Sequence, residues 1–349
     1  MASPEPSQAD EIGRRGALLG IMTVAATAAP QAAQAQTPEA PLTSWNEGLA
    51  KQAILDFVRA TIDESSKDFV PPDDRIATFD QDGTLWVEHP LYTQAQFALD
   101  RVHELAPQHP EWQSQEPFKS VLSNDMAAIA NFGEVDWAKI VFETHAGISQ
   151  TVFLEIVGKW LTTAKHPRFN RLYTELVYQP MREVVDYLRA SGFKTFIVSG
   201  GGQDFVRAYS KRVYGIPTEQ IVGSSIATRY EIDDGKPVIM RLPQLFFNDD
   251  NAGKPVGIDF FIGRRPHSAI GNSTGDRQML EWTGAGQGAR LTMLVYHDDA
   301  QREYAYGPVG GLPDSKVGTF NQSLMDEAKS RGWTVISMKN DWKRMFAFD

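Results

Sequence analysis

Two aspartates, Asp80 and Asp82, stand one residue apart in the stretch RIATFDQDGTLW, directly after an apolar run. Held together out of water, each raises the cost of ionising the other, so the pair calls for a proton or a cation between them. A hard divalent ion with oxygen ligands meets that need, and carboxylates that leave room for bound water favour magnesium. Asp276, about one helical turn past Asn272, adds a further oxygen. Ser199 precedes three glycines and then a helical pattern, and unpaired N–H groups at a helix start bind anions such as phosphate. Lys254, in NAGKPVG, offers an ammonium to a phosphoryl oxygen, with Arg264 and Arg265 as rivals for the role. Taken singly, each feature also has a plainer reading. An aspartate at a strand end caps a turn, a glycine run joins strand to helix, and a lysine sits on the surface.

These residues need elements to carry them. IATF is short, apolar and partly β-branched, and Gly83 breaks it, which predicts a buried strand. Before it, Leu49, Ile54, Phe57, Val58 and Ile62 recur at helical spacing. The segment after it carries almost no strand pattern. LYTQAQFALDRVHELA, EPFKSVLSNDMAAIANF, EVDWAKIVFETHAG and ISQTVFLEIVGKWLTTA each predict a helix, so this block reads as an all-helical insertion. Beyond it, strands are predicted at FKTFIVSGGG, HSAIGN, LTMLVYH and WTVISM. Helices are predicted at QPMREVVDYLRASG, QDFVRAYSKRVYG, GDRQMLEWTG and NQSLMDEAKSRG, and a hairpin around Asp233, Asp234 and Gly235. Alternating strands and helices on both sides of one helical block predict an α/β fold with a mostly parallel sheet. In such a sheet, ligands bind beyond the carboxyl ends of the strands. Three predicted strand ends supply the chemistry: Asp80 with Asp82, Ser199 with Gly200, and Gly271 with Asn272.

In this order, FDQDGTLW, FIVSGGG, Lys254 and AIGNSTGD resemble the four motifs of the haloacid dehalogenase superfamily of phosphatases, across Arg75 to about Trp282. The helical block stands where that superfamily carries a C1 cap, as in enzymes similar to phosphoserine phosphatase. The resemblance implies a Rossmann-like parallel sheet with an inserted all-helical cap. Residues 41–88 would form the first part of the core, 89–178 the cap, and 179–349 the rest of the core. It also implies that Asp80 is the nucleophile forming an aspartyl-phosphate, and that Asp82 protonates the leaving alcohol and then activates water. Ser199, Gly200 and Lys254 would bind the phosphoryl group. Magnesium would be held by Asp80, Asp82, Asn272 and Asp276.

One position departs from the motif: Asn272 stands where aspartate is usual, bringing one negative charge fewer. The expectation is weaker magnesium binding or a shift of ligation towards Asp276. Glu88 lies near where phosphoserine phosphatases have a glutamate that contacts the substrate's amino group, but at a different offset, and also reads as a solvated loop residue. His89 and His145 read either as site residues or as structural ones, and Asp249 and Asp250 as solvated. Trp86, Tyr92, Trp112, Trp137 and Trp160 would fill the cap's core or cage a quaternary ammonium such as phosphocholine. The expected activity is magnesium-dependent hydrolysis of a small phosphomonoester, phosphoserine-like or otherwise. A phosphomutase or phosphotransferase of the same superfamily, and a catalytically weak phosphate-binding protein, are the alternatives.

Composition narrows the classes. The chain has 349 residues, 42% hydrophobic and 22% charged, with a formal net charge of -10. Such a field repels nucleic acids and anionic membranes, so a small anionic substrate needs local positive groups or a metal. With no cysteine, thiol catalysis and disulfides are excluded. Arg14 and Arg15 precede the apolar GALLGIMTVAATAAP, with Ala33 and Ala35 before a plausible cut. Residues 1–40 therefore read as an export signal and leader, with a possible twin-arginine pattern and a periplasmic destination, and no stable membrane insertion is expected after export.

Overall fold

In the computed structural model, which describes residues 41–349, IATF forms strand β1 (Ile76–Phe79) after helix α1 (Leu49–Ile62). The proposed leader lies outside the described residues. Helices α2 (Thr93–Leu105), α3 (Phe118–Leu122), α4 (Met126–Ile129), α5 (Glu134–His145) and α6 (Gln150–Trp160) follow before the chain returns through α7 (Gln179–Ala190) to β2 (Lys194–Gly202). Next come α8 (Gln203–Arg207), α9 (Ser210–Tyr214), β3 (Ile221–Asp233), β4 (Lys236–Phe247), α10 (Gly253–Phe261) and β5 (Ser268–Gly271). The chain closes with α11 (Arg277–Gly284), β6 (Leu291–Tyr296), α12 (Gln322–Arg331), β7 (Thr334–Ser337) and α13 (Met338–Asp341).

The seven strands form one sheet in the order β4-β3-β2-β1-β5-β6-β7, with β1 central. All neighbours run parallel except β4, which pairs antiparallel with β3. Every residue of β1 and β5 is buried, as expected of strands covered on both faces. Consecutive residues divide between two apolar clusters: Ile197, Ile221, Ile270 and Met293 in one, Val198, Val222, Ala269 and Leu294 in the other. That alternation gives the sheet two packed faces. The inserted helices have a small core of their own around Leu99, Val102, Trp112, Phe118, Val121 and Ile140.

The β3–β4 hairpin turns at Asp234 and Gly235, both at positive φ, 46° and 73°, which suits the twist of the two strands. It runs on to meet the insertion. Met240 bridges to Ser149, and Arg241 exchanges backbone hydrogen bonds with Gly147 and Ile148. The Arg241 side chain is buried, donates to the His145 carbonyl at 2.8 Å and to Asp204, and lies over the Phe153 ring.

Two expected helices are each broken in two. EPFKSVLSNDMAAIANF divides at Asn124, whose φ is 54°, and Asp125 caps α4 by accepting from Ala128 N. QDFVRAYSKRVYG divides into α8 and α9 at Ala208 and Tyr209. Helix α10, which carries Lys254, had no sequence signal strong enough to predict it, because Pro255 and two glycines interrupt its pattern.

Candidate active site

The carboxyl ends of β1, β2 and β5 meet on one side of the sheet and bring the expected residues together. Asp80 N donates to the Ile270 carbonyl at 2.9 Å, so the first residue past β1 is tied to β5. The chain then turns sharply: Leu85 N and Thr84 N both donate to the Gln81 carbonyl. Gly83 sits at φ 75°, and a side chain there would run into Asn272 and Glu88. Only glycine satisfies both the backbone and the space. Trp86 Nε1 donates to Asp82 Oδ1 at 2.7 Å, and the indole stacks on Tyr209. Trp86 therefore walls the site and does not fill the cap's core, whereas Trp112 does pack there against Phe118.

Lys254 is only 2% exposed and, of the three basic candidates, is the one placed against Asp80. Its Nζ lies 2.5 Å from Asp80 Oδ1, 2.5 Å from Asp276 Oδ1 and 3.0 Å from the Val198 carbonyl. Arg264 instead pairs with Asp74 at the surface, and Arg265 lies over Trp282. Asp276 is fully engaged, because its Oδ2 accepts from Asn272 N at 2.9 Å and Ser273 N at 3.0 Å. Gly271 makes room for it, since a Cβ there would lie 2.5 Å from the Asp276 side chain.

Burial dominates the electrostatics. It pushes Asp80 up to about 8, assisted by Asp276 and opposed by Lys254. Burial likewise pushes Asp82 up to about 6, against the Trp86 hydrogen bond and the charge of Lys254. For Lys254, burial acts to lower the pKa, but Asp276 and Asp80 outweigh it and hold the ammonium charged.

Ser199 is buried, and its Oγ accepts from Gly201 N at 3.1 Å. Gly202 N donates to Oε1 of Gln94, on α2 of the helical insertion, at 2.6 Å. A Cβ on Gly201 would lie 3.2 Å from Ser199 Oγ, 3.4 Å from Gln94 Oε1 and 3.8 Å from Asp82 Oδ2, so these three groups converge on the glycine turn. His145 supports Gln94 from behind, at 3.2 Å, and burial lowers its pKa to about 3, which keeps it neutral. His89 packs on Tyr306 and contacts the Val317 carbonyl.

The expectation that Asp249 is solvated is wrong: it is 0% exposed. The loop after β4 folds inward, tied by Asp249 N to Ser224 Oγ at 2.9 Å, and burial pushes its carboxyl up to about 8. Asp250 is exposed, and its Oδ1 lies 3.3 Å and 2.8 Å from where Cβ atoms on Gly200 and Gly275 would stand. It therefore borders both loops that frame the site.

Glu88 is not a solvated loop residue either, being 2% exposed. Its Oε1 accepts from Asn272 Nδ2 at 2.6 Å and from the Tyr306 hydroxyl at 2.5 Å. Thr84 Oγ1 donates to Asn272 Oδ1 at 3.1 Å. Behind Gly83, His297 Nε2 meets the Gly83 carbonyl at 2.7 Å while its Nδ1 faces Glu303 at 3.2 Å, both side chains being buried. His297, Glu303 and Tyr306 were missed in YHDDAQREYAYG, although His297 directly follows β6, and the strand-end rule that found Asp80 points to it too.

Among the described residues no three His, Cys, Asp or Glu side chains form a closed metal cage, because Lys254 stands between Asp80 and Asp276. The remaining donor set still suits a hard cation. Gly83 N donates to Trp86 O and Trp86 N to Gln81 O, and among the described residues the Asp82 carbonyl accepts no backbone hydrogen bond. Buried carboxylates outnumber the one ammonium, and oxygen donors with that excess of negative charge match magnesium.

A family model described as haloacid dehalogenase-like hydrolase matches residues 75–247. No curated protein matches the chain. Similar solved structures include a protein of unknown function from Bordetella pertussis Tohama I, at 18% identity over 75% of this chain and 97% of that one, with a TM-score of 0.44. A functionally unknown protein from Anaerococcus prevotii DSM 20548 is 14% identical over 72% of this chain and 86% of that one, with a TM-score of 0.46. A probable phosphoserine phosphatase from Vibrio cholerae is 14% identical over 66% and 58% of the respective chains, with a TM-score of 0.36.

Proposed function

We propose that this chain, which belongs to the haloacid dehalogenase-like hydrolases, hydrolyses small phosphomonoesters through a phosphorylated Asp80. The observation that carries the reading is the buried chain of contacts from Asp80 through Lys254 to Asp276, beside an Asp82 held in place by Trp86. An Asp80 carboxylate oxygen attacks phosphorus as the bond from phosphorus to the ester oxygen breaks. Asp82, whose carboxyl titrates near neutrality because it is buried, gives its proton to the departing alcohol. Water then attacks the phosphorylated Asp80, Asp82 takes the proton, and inorganic phosphate leaves with the Asp80 carboxylate restored. Lys254 stabilises charge on the phosphoryl oxygens, and Ser199 with the Gly200 N–H orients them. Asp276 positions Lys254, since both its oxygens are already occupied.

Asp80, the Asp82 carbonyl and Asn272 would hold magnesium, which when bound supplies positive charge to the phosphoryl group and offsets the carboxylates' repulsion. The leader over residues 1–40 supports an exported, periplasmic enzyme that takes phosphate or alcohol from external monoesters. Fractionation that finds only full-length protein in the cytoplasm would argue against export. The activity itself is tested with para-nitrophenyl phosphate and a panel of phosphoserine, phosphocholine, sugar phosphates and nucleotides, each with and without magnesium. Turnover by the wild type that vanishes in Asp80→Asn supports the reading. A folded wild type no faster than Asp80→Asn on every ester overturns it.

A further inference from the structure

The charge absent from position 272 has a counterpart elsewhere in the site. Glu88 is buried, 2% exposed, against Asn272 and Tyr306. Its two hydrogen-bond donors, the Tyr306 hydroxyl and the Asn272 amide, are both neutral. A carboxylate so placed is costly to ionise unless a cation is close by. Asn272 is the link: its Nδ2 donates to Glu88 Oε1 at 2.6 Å, which fixes the amide and turns Oδ1 to the opposite side. Two glycines crowd around this contact. A side chain on Gly83 or on Gly318 would collide with Glu88, so the chain keeps glycine on both sides of the carboxylate.

We propose that Glu88 supplies the divalent cation site with the negative charge that Asn272 lacks, and orients the Asn272 carbonyl oxygen as a ligand. Glu88 acts through Asn272 and is a positioning residue. An aspartate at position 272 would carry charge and ligand on one side chain; here the two are divided, the oxygen on Asn272 and the charge on Glu88. Outer partners of this kind tune affinity strongly, and losing one typically weakens metal binding about 10–100-fold. The inference rests on the reading that the site binds magnesium.

The test is calorimetric titration of magnesium into the purified protein without substrate, for wild type, Glu88→Gln and the double variant Glu88→Gln/Asn272→Asp. Circular dichroism checks that each is folded. Glu88→Gln is expected to bind magnesium about 10–100-fold more weakly. The double variant returns the lost charge at the other end of the contact, and its affinity is expected within about threefold of wild type. Should Glu88→Gln not fold, Glu88→Asp withdraws the carboxylate by one methylene and is expected to weaken binding in the same direction. Unchanged magnesium affinity in the folded Glu88 variant, whatever its KM for substrate, overturns the proposal, and so does a double variant that stays as weak as Glu88→Gln. A wild type that binds no magnesium would instead overturn the metal reading beneath it.

Discussion

Asp82 gives up a proton in the first half of the proposed reaction and takes one in the second, so its contribution depends on the leaving group. Asp82→Asn is expected to slow hydrolysis of an alkyl phosphate by about 10²–10⁴-fold, and that of para-nitrophenyl phosphate by less, because nitrophenolate leaves without help. Equal losses on both esters would remove Asp82 from acid catalysis. The raised pKa values also bear on stability. Asp80 and Asp82 titrate at about 8 and about 6 in the folded protein, against 3.8 when unperturbed. The folded state therefore holds these protons more tightly than the unfolded chain. The stability they contribute is full below about pH 4 and is lost as pH rises through 6 and then 8. In EDTA, Tm is expected to fall between pH 5 and pH 9, and to fall less in Asp80→Asn; parallel curves for the two proteins would contradict the assignment. Asp80 and Asp82 were legible because their meaning lies in adjacent letters of the sequence. Glu88 was not, because its partner Asn272 is 184 residues away and only folding joins them. Asp249 misled for a similar reason: a run of Asn and Asp looks solvated until a loop folds inward.

At the level of elements, the hairpin of β3 and β4 links the sheet to the helical insertion. Arg241 carries that link through Asp204, the His145 carbonyl and the Phe153 ring. Arg241→Ala removes the buried guanidinium from Asp204, which keeps Arg207 and Gln150 as partners, and is expected to cost about 1.5–3 kcal/mol of stability, measured by urea unfolding. A loss under ~1 kcal/mol would show that the contact is not needed to hold the hairpin. The hairpin's turn was readable from Asp234 and Gly235, since their types suit positive φ, but its reach to the insertion was not. Long periodic helices such as α2, α5 and α7 were equally readable. Short ones were not, because two turns carry too few apolar positions to fix a period, and Asn124 could not be seen to adopt a positive φ. Gln94, on α2, likewise joins the insertion to the glycine turn by accepting a hydrogen bond from Gly202 N.

The whole molecule carries a net charge of -10 and buries several carboxylates around one lysine, so a bound cation relieves repulsion that the fold otherwise bears. Magnesium is therefore expected to raise Tm, with stabilisation of ~2.7 kcal/mol at a hundredfold excess over Kd. No such rise in a protein that still turns over substrate would detach catalysis from the metal. The order of the four motifs and the α/β alternation made the fold and its chemical end readable along the chain. The division of charge between Asn272 and Glu88 became visible only in three dimensions. In the proposed reaction, phosphate is transferred to Asp80 before it reaches water. Rapid quenching during turnover, reduction with borohydride and peptide mass spectrometry test this most directly, since reduction converts a phosphorylated aspartate to homoserine. The expected result is homoserine at position 80 in the wild type and none in a sample lacking substrate; an unmodified Asp80 during active turnover, or homoserine at another aspartate, would contradict it.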